Sequence, residues 1–454
     1  MMDQTEHWAT ASIEAPESQL HTSMDRSSFS IVPAQATDFP AFYHFLSSTR
    51  SDWRPGEIAA CWNDTENRPS DTLFIRRDRE LVGVVQLVRR QMYYGKATIP
   101  VAALRGWALM PKVDSGGLSR LLLSRVEQNM RMGGAALGLV WTRSPKFFLQ
   151  AGWVECFRRN IVALPTDFGL LSLCQRGIWG KRPRAHLHIR PCRRWDVTAL
   201  SKLYQNCVVG QYGPFLRSAK YWTWLLDRRG FDELIVALEG QQDAPDDGGE
   251  TSSKLLGYYA TRSGRIVEMM ACTHRSQPAC ELLLFAFRDA KEHNRQQVEL
   301  EAPWGSQCCS FLQKLLGEKM PAGHPGDSSV MAKLLDPASF LTSMLPELSF
   351  RFLQSGRAPG ASLGLRIEGH PFTCRLEESQ VRILRNSRAD CWVNLSQHQA
   401  TRLFLIGQRP SDDGLKSREK PEDVGAGLVR ELLQDLFPPI GFWRSVLDDL
   451  KSRE

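Results

Sequence analysis

The sequence predicts an α+β protein with mixed sheets, divided into about three domains. The chain has 454 residues, which is too many for one hydrophobic core. A hydrophobic content of 42% and a charged content of 24% are typical of a globular protein. Apolar or alternating runs typical of strands recur between segments with helical spacing, and this order begins again near residue 188. We therefore expect two related domains followed by a third.

The first domain is expected over residues 29–165. The polar stretch before it, residues 1–28, predicts a disordered tail. A helix with Asp38 as its N-cap follows the first strand, and a polar turn at residues 77–80 joins the next two strands. The predicted strands are 29–32, 73–75, 81–88, 101–110, 136–142 and 153–164.

The stretch between residues 109 and 123 predicts an anion-binding turn. An apolar strand ends at Pro111, the paired glycines Gly116 and Gly117 follow, and leucines at helical spacing come next. The first turn of a helix carries backbone N–H groups without partners and a partial positive charge. Glycine lets the backbone approach a phosphate closely. This order of strand, glycine turn and helix therefore indicates a phosphate site.

The same region resembles the GNAT acetyltransferases. Their pyrophosphate loop reads Gln/Arg-x-x-Gly-x-Gly/Ala, and aligned from Pro111 its two small residues fall on Gly117 and Ser119. Asp114 stands where the family has Gln or Arg. The family's Tyr-x-x-x-Gly-Phe pattern falls on residues 148–153, with Phe148 in place of the tyrosine.

The resemblance implies that acetyl-CoA is the acyl donor and that it binds at this loop. Asp114 repels a pyrophosphate by about 1 kcal/mol unless it points away, and Arg120, Lys112 or Lys146 could offset that repulsion. The expected cofactor-binding residues are Leu109, Met110, Asp114, Ser115, Gly116, Gly117, Leu118, Ser119 and Arg120.

Acyl transfer to an amine needs a base, an oxyanion donor and an acid for the leaving thiolate. The backbone N–H of Leu109 or Met110 is the expected oxyanion donor. In the family a tyrosine is the acid, and here Phe148 lacks the hydroxyl, which leaves Thr142 or Ser144. Three carboxylates of the expected substrate wall are candidates for the base: Glu57, Asp64 and Glu66. Each of them could instead be an ordinary surface charge.

A second domain is expected over residues 188–335, after a linker at 166–187. Its strand and helix order repeats that of residues 29–46 onward. The position of the phosphate loop, residues 273–283, holds no glycine and includes Pro278 and Glu281. Proline removes an N–H donor and glutamate repels phosphate. This half is therefore expected to keep the fold without the cofactor site.

A third domain is expected over residues 336–454, with short alternating strands and amphipathic helices. It resembles the sterol-carrier-protein-type-2-like domain. The whole order resembles the enhanced-intracellular-survival (Eis-like) acetyltransferases, which implies an acetyl-CoA-dependent N-acetyltransferase acting on a small-molecule or peptidic amine and assembled as a homo-oligomer. Those enzymes use their terminal carboxylate as a base. Here residues 447–454 read as an additional polar tail, so this role is not transferred.

Several other classes are not favoured by the sequence. The 11 cysteines lack zinc spacing, so no metal is expected, and they fit a reducing cytoplasm. The basic cluster at 181–194 is interpreted as a linker rather than a nucleic-acid patch, and no run is long enough for a membrane span. Two alternatives remain: a non-catalytic GNAT scaffold that binds acyl-CoA or a protein partner, and a lipid carrier.

Overall fold

The computed structural model describes residues 29–50, 53, 55–110, 118–175, 187–228, 230–240, 254–272, 276–408 and 424–448. The first domain contains the expected series of strands and helices. Its strands are β1 (Phe29–Pro33), β2 (Thr72–Arg77), β3 (Glu80–Tyr94), β4 (Ala97–Leu109), β5 (Leu137–Thr142) and β6 (Val154–Pro165). Its helices are α1 (Phe39–Thr49), α2 (Pro55–Trp62), α3 (Leu118–Met132) and α4 (Pro145–Gln150).

The second domain repeats this order. Its strands are β7 (Leu187–Pro191), β8 (Tyr212–Phe215), β9 (Glu233–Glu239), β10 (Lys254–Arg262), β11 (Arg265–Ala271), β12 (Gln297–Glu301) and β13 (His324–Leu334). Its helices are α5 (Thr166–Gln175), α6 (Val197–Val208), α7 (Ala219–Asp227), α8 (Gln277–Glu292) and α9 (Gln307–Leu316).

The predicted linker at 166–187 is wrong over its first part, because residues 166–175 form α5. Leu173 is buried in the core of the second domain, and Gly169 approaches Phe287 so closely that a Cβ would lie 2.3 Å from the ring. The apolar residues of this segment therefore fold onto α8. Residues 176–186, which include part of the basic cluster, lie outside the described residues.

The two domains share one sheet, and they exchange their last strands. The order of the described strands is β1-β2-β3-β4-β5-β13-β6-β12-β11-β10-β9-β7, with β8 beside β3. The sequence predicts that residues 153–164 close the first domain. Instead, β13 pairs antiparallel with β5, while β6 pairs with both β13 and β12. Each domain therefore completes the sheet of the other.

The third domain has a separate four-stranded sheet of order β16-β15-β14-β17. Its strands are β14 (Ser362–Ile367), β15 (His370–Leu376), β16 (Val381–Arg385) and β17 (Cys391–Leu395). Its helices are α10 (Pro337–Ser343), α11 (Leu345–Ser355), α12 (Gln397–Ile406) and α13 (Val424–Leu436).

The last described residues, 446–448, pack against the second domain. Val446 and Leu447 are buried, and the Asp448 carboxylate accepts hydrogen bonds from Arg217 at 2.9 and 3.1 Å. Arg217 also forms a two-pronged pair with Glu268 at 2.8 and 2.9 Å. Residues 447 and 448 are therefore part of the core, which corrects the prediction of a polar tail from residue 447; residues 449–454 lie outside the described part.

Candidate active site

The strand that carries the expected site has a bulge near its end. Ala108 of β4 pairs with Val84, and Arg105 pairs with Gln86, so Gly106 and Trp107 together oppose one residue of β3. Gly106 has a φ of +64°, which favours glycine. A bulge bends its strand and changes the direction of the following backbone groups. Gly106 therefore sets the path of β4 into the candidate site.

Beyond the bulge, β4 is not paired with its other neighbour. The recorded parallel pairing of β4 with β5 covers only Val101–Leu104 against Leu137–Val140. The other edge of β5 is paired with β13 along the whole strand, so Trp141 and Thr142 lie opposite Val330 and Ser329 while no pairing with β4 continues there. A cleft where parallel strands separate at their carboxyl ends is a usual position for ligands in α/β sheets.

One of the two predicted oxyanion donors already donates a hydrogen bond within the sheet. The Met110 N–H donates to the Val82 carbonyl at 2.9 Å, and this favours Leu109 of the two alternatives. In an antiparallel ladder alternate residues direct their N–H groups to opposite sides. Leu109 therefore directs its N–H away from β3, toward the cleft, and it stays our candidate donor.

The predicted phosphate loop, including Asp114, Ser115, Gly116 and Gly117, lies outside the described residues. The helix after it does begin where the sequence predicts, at Leu118, with Ser119 and Arg120 in its first turn. The Arg120 guanidinium is exposed and donates to Gln150 Oε1 at 2.8 Å. Arg120 thus links the start of α3 to the end of α4, on the side where a cofactor phosphate is expected.

Phe148 occupies the tyrosine position of the family pattern and lies in an apolar core. Its ring is buried and packs edge-on against Trp153 and Phe147, at centroid distances of 5.4 and 5.0 Å. The neighbouring Phe147 is closer to the bulge, because its ring lies 6.3 Å from that of Trp107. Phe148 therefore has a packing role here.

The two hydroxyl residues proposed to replace the tyrosine lie together at the end of β5. Thr142 is buried, and its Oγ1 accepts a hydrogen bond from the Ser144 N–H at 2.9 Å. Ser144 precedes α4 and its side chain does not cap that helix. The Thr142 hydroxyl thus stabilises the turn into α4.

Arg50 and Trp53, which lie between α1 and α2 in the chain, contact the bulge. Arg50 donates to the Trp107 carbonyl at 3.3 Å and lies 5.1 Å from the ring of Trp53. Trp53 is buried over Gly106, where an added Cβ would lie 3.6 Å from its ring. Glu57, in the first turn of α2, forms an ion pair with Arg262 of β10 at 3.6 Å.

Asp64 is not a surface charge. Its side chain is fully buried, with Arg90 Nη2 at 2.6 Å and Arg105 Nη2 at 3.0 Å. Burial alone would raise its pKa, but the charges of Arg105 and Arg90 outweigh burial and lower the pKa. Glu66 is paired with Arg90 and accepts from Ser218. All three candidate carboxylates are therefore in ion pairs, and the pair of Glu57 with Arg262, at 3.6 Å, is the longest of them.

In the second domain, a side chain occupies the backbone groups at the corresponding strand end. The Gln307 amide accepts from the Ala271 N–H at 2.8 Å and donates to the Ala271 carbonyl at 2.6 Å, which occupies both backbone groups at the end of β11. Trp443, Arg444 and Ser445 lie beside β11, and the remaining space is only about 10 Å³. Among the predicted loop residues of this domain, 273–275 lie outside the described part.

Sequence reasoning missed Gly106, Trp107, Arg50 and Trp53. A glycine inside an otherwise apolar strand is a known signal of a bulge, so Gly106 was detectable. The contacts of Arg50 and Trp53 join segments far apart in the chain, and no local pattern predicts them.

Comparison with known families decides the identity of this region. The model of the acetyltransferase (GNAT) domain matches residues 30–156. This segment contains the bulged strand, the separated strands and the start of α3. Residues 30–156 form a GNAT acetyltransferase domain. No curated protein sequence aligns significantly with the chain.

Solved structures extend the GNAT likeness over most of the chain. A GCN5-related N-acetyltransferase from Anabaena variabilis is 14% identical, with a TM-score of 0.64, and the match covers 92% of this chain and 99% of that one. The corresponding protein from Kribbella flavida is 16% identical, with a TM-score of 0.63 and coverages of 92% and 98%. Eis1 from Mycobacterium abscessus is 12% identical, with a TM-score of 0.55 and coverages of 92% and 99%. The protein thus has the α+β fold of multidomain, Eis-like GNAT proteins.

Two further properties concern the described part of the chain. Its residues contain no group of three or more histidine, cysteine or acidic side chains placed to hold a metal ion. None of its helices is both long and apolar enough to span a membrane.

Proposed function

We propose that the protein is an acetyl-CoA-dependent N-acetyltransferase with one working cofactor site, in its GNAT domain. The observation that supports this most directly is the bulged end of β4, which separates from β5 and leads into the loop before α3. The acetyl-CoA pyrophosphate binds at the loop containing Asp114, Ser115, Gly116 and Gly117 and at the first turn of α3, with Leu118, Ser119 and Arg120. The acceptor is a small-molecule or peptidic amine.

In the proposed reaction the amine nitrogen attacks the thioester carbonyl carbon and forms the new C–N bond. The oxyanion that develops accepts a hydrogen bond from the Leu109 N–H. The C–S bond then breaks, coenzyme A leaves as a thiolate, and this thiolate takes a proton. Because Phe148 has no hydroxyl, the leaving group depends on its own acidity or on Thr142 and Ser144.

The attacking amine must lose a proton before or during attack. We assign this role to Glu57, because its ion pair with Arg262, at 3.6 Å, is longer than the pairs that Asp64 and Glu66 form with Arg90 and Arg105, at 2.6 to 3.4 Å. Its ion pair with Arg262 holds the carboxylate in place. The acceptor enters, in this proposal, on the side covered by Arg50 and Trp53.

The second domain is proposed to be structural. Gln307 occupies the backbone groups of Ala271, and the end of the chain fills the space beside β11. Because the chain resembles the Eis-like enzymes, we also propose that it is cytoplasmic and forms a homo-oligomer.

A non-catalytic GNAT scaffold is the second candidate, because Phe148 is buried where the family has its acid. Amine-dependent release of thiol separates the two: an enzyme releases coenzyme A in the presence of a suitable primary amine, and a scaffold binds acyl-CoA without release.

Replacement of Gly106 by valine is expected to reduce kcat/KM by roughly a hundredfold, the size of effect seen when an oxyanion donor is misplaced. A β-branched residue is strained at a φ of +64°, so the bulge changes shape. The measurement is amine-dependent thiol release across a panel of primary amines.

Gly134→Val is the matched control. Gly134 has a similar φ of +83°, open space around it and a position at the far end of α3. This variant carries a comparable backbone strain and is expected to keep its activity. Equal activities of the two variants would contradict the assignment of the bulge to the catalytic cleft.

A further inference from the structure

A second cleft lies between the GNAT domain and the third domain, far along α3 from its first turn. Its volume is about 610 Å³, within the range of small-molecule sites. It is lined by the last turn of α3, the start of α10, the turn between β14 and β15, and the end of β16. The proposed acetyl-CoA site does not use any of its residues.

The floor of this cleft is apolar. Its lining includes the half-buried Pro337 and Pro371, together with Leu335, Ile367 and Phe372, whose side chains are 5% exposed or less. A flat ring or a short hydrocarbon chain that packs against this apolar lining removes apolar surface from water, and this favours binding of a ligand with an apolar part.

The two carboxylates at this cleft are already occupied. Asp336 Oδ1 accepts from the Ala338 and Ser339 N–H groups at 3.0 and 3.1 Å. Glu368 Oε1 accepts from the Gln397 N–H at 2.6 Å. Their negative charge is thus held by backbone donors of α10 and α12.

The two arginines at the cleft, unlike the two carboxylates, have no partner among the described residues. Arg131 lies in the last turn of α3, and Arg385 ends β16 directly opposite Phe372 of β15. Within the described ranges, neither guanidinium has an ion pair or a hydrogen bond, and both line the cleft. Guanidinium groups bind carboxylate and phosphate oxygens with matching geometry. Cationic donors from two domains therefore face one apolar floor.

We propose that this cleft binds a small organic anion whose apolar body lies on the floor and whose carboxylate or phosphate oxygens are held by Arg131 and Arg385. His370, also at the rim, supplies a further hydrogen-bonding group. The proposal does not depend on the acetyltransferase reaction.

The test is ¹⁹F NMR titration of the full chain with 4-fluorophenyl phosphate and with 4-fluorobenzoate, and a competition titration with inorganic phosphate. The expected result is saturable binding of at least one fluorinated probe, weakened at least tenfold by Arg131→Glu and by Arg385→Glu. The stronger of the two probes identifies the anionic group. Competition by inorganic phosphate is expected only at much higher concentration, because it has no apolar body.

Arg125→Glu on α3 and Arg388→Glu after β16 are the matched controls, since both side chains are exposed and neither lines the cleft. They are expected to bind the probes as the wild type does. No saturable binding of either probe would overturn the proposal. An equal loss in the controls would overturn it too, because it would show a general charge effect.

Discussion

A chain that ends at Pro165 is expected not to fold, although it contains every element of the GNAT domain from β1 to β6. In the whole protein β13 lies between β5 and β6, and it pairs with all of Leu137–Thr142. Without β13, the fully buried strand β5 has an unpaired edge, and β6 has lost both of its neighbours. Circular dichroism on heating is expected to show no cooperative transition for residues 29–165.

A second fragment, to which β13 is added, provides the control. His324 of β13 lies opposite Ile161 of β6, so an Asn-Gly turn can join residues 29–162 to residues 323–335 as a hairpin. This fragment restores the strand between β5 and β6 and is expected to unfold cooperatively. A cooperative transition of residues 29–165 alone would contradict the exchange of strands as a requirement for folding.

Replacement of Arg217 by methionine is expected to lower the free energy of unfolding by about 3–5 kcal/mol, the typical result of removing one partner from a buried ion pair. The side chains of Arg217, Glu268 and Asp448 are 0%, 1% and 0% exposed, so methionine leaves two buried carboxylates without their cation. Burial lowers the pKa of Arg217, but the two carboxylates outweigh it and raise the pKa well above its ordinary value. Urea denaturation of the whole chain measures the loss.

Arg194→Met is the matched control, because it removes an ion pair with Asp227 in which the arginine is 82% exposed. Solvent-exposed ion pairs contribute about 1 kcal/mol or less to the free energy of unfolding. Arg217→Lys keeps the charge but not the forked geometry, and an intermediate stability is expected. An Arg217→Met variant as stable as Arg194→Met would show that this ion-pair network does not hold the end of the chain in place.

The sequence predicts local elements well and their long-range partners poorly. The strands predicted at 136–142 and 153–164 are observed at 137–142 and 154–165, because alternation and flanking glycines act within a few residues. The exchange of β6 and β13 is different. Both strands mix apolar and polar residues, and the pattern of one strand does not state which other strand it pairs with.

The wrong predictions at the site also concern contacts between segments that are far apart in the chain. Asp64 resembles a surface carboxylate in its local sequence, and its burial depends on Arg90 and Arg105 from two other strands. The expected linker after Pro165 is a helix because Leu173 and Gly169 fit a surface made by α8. The start of α3 was readable from the sequence, since leucines at helical spacing begin there.

The most direct test of the central claim is a calorimetric titration of the whole chain with acetyl-CoA. One working cofactor cleft predicts one molecule bound per chain, and replacement of Gly117 by tryptophan is expected to abolish that binding because the side chain fills the phosphate loop. Gln307→Ala, at the corresponding strand end of the second domain, is expected to leave the stoichiometry at one. No binding at millimolar acetyl-CoA, or unchanged affinity in the Gly117→Trp variant, would contradict the account.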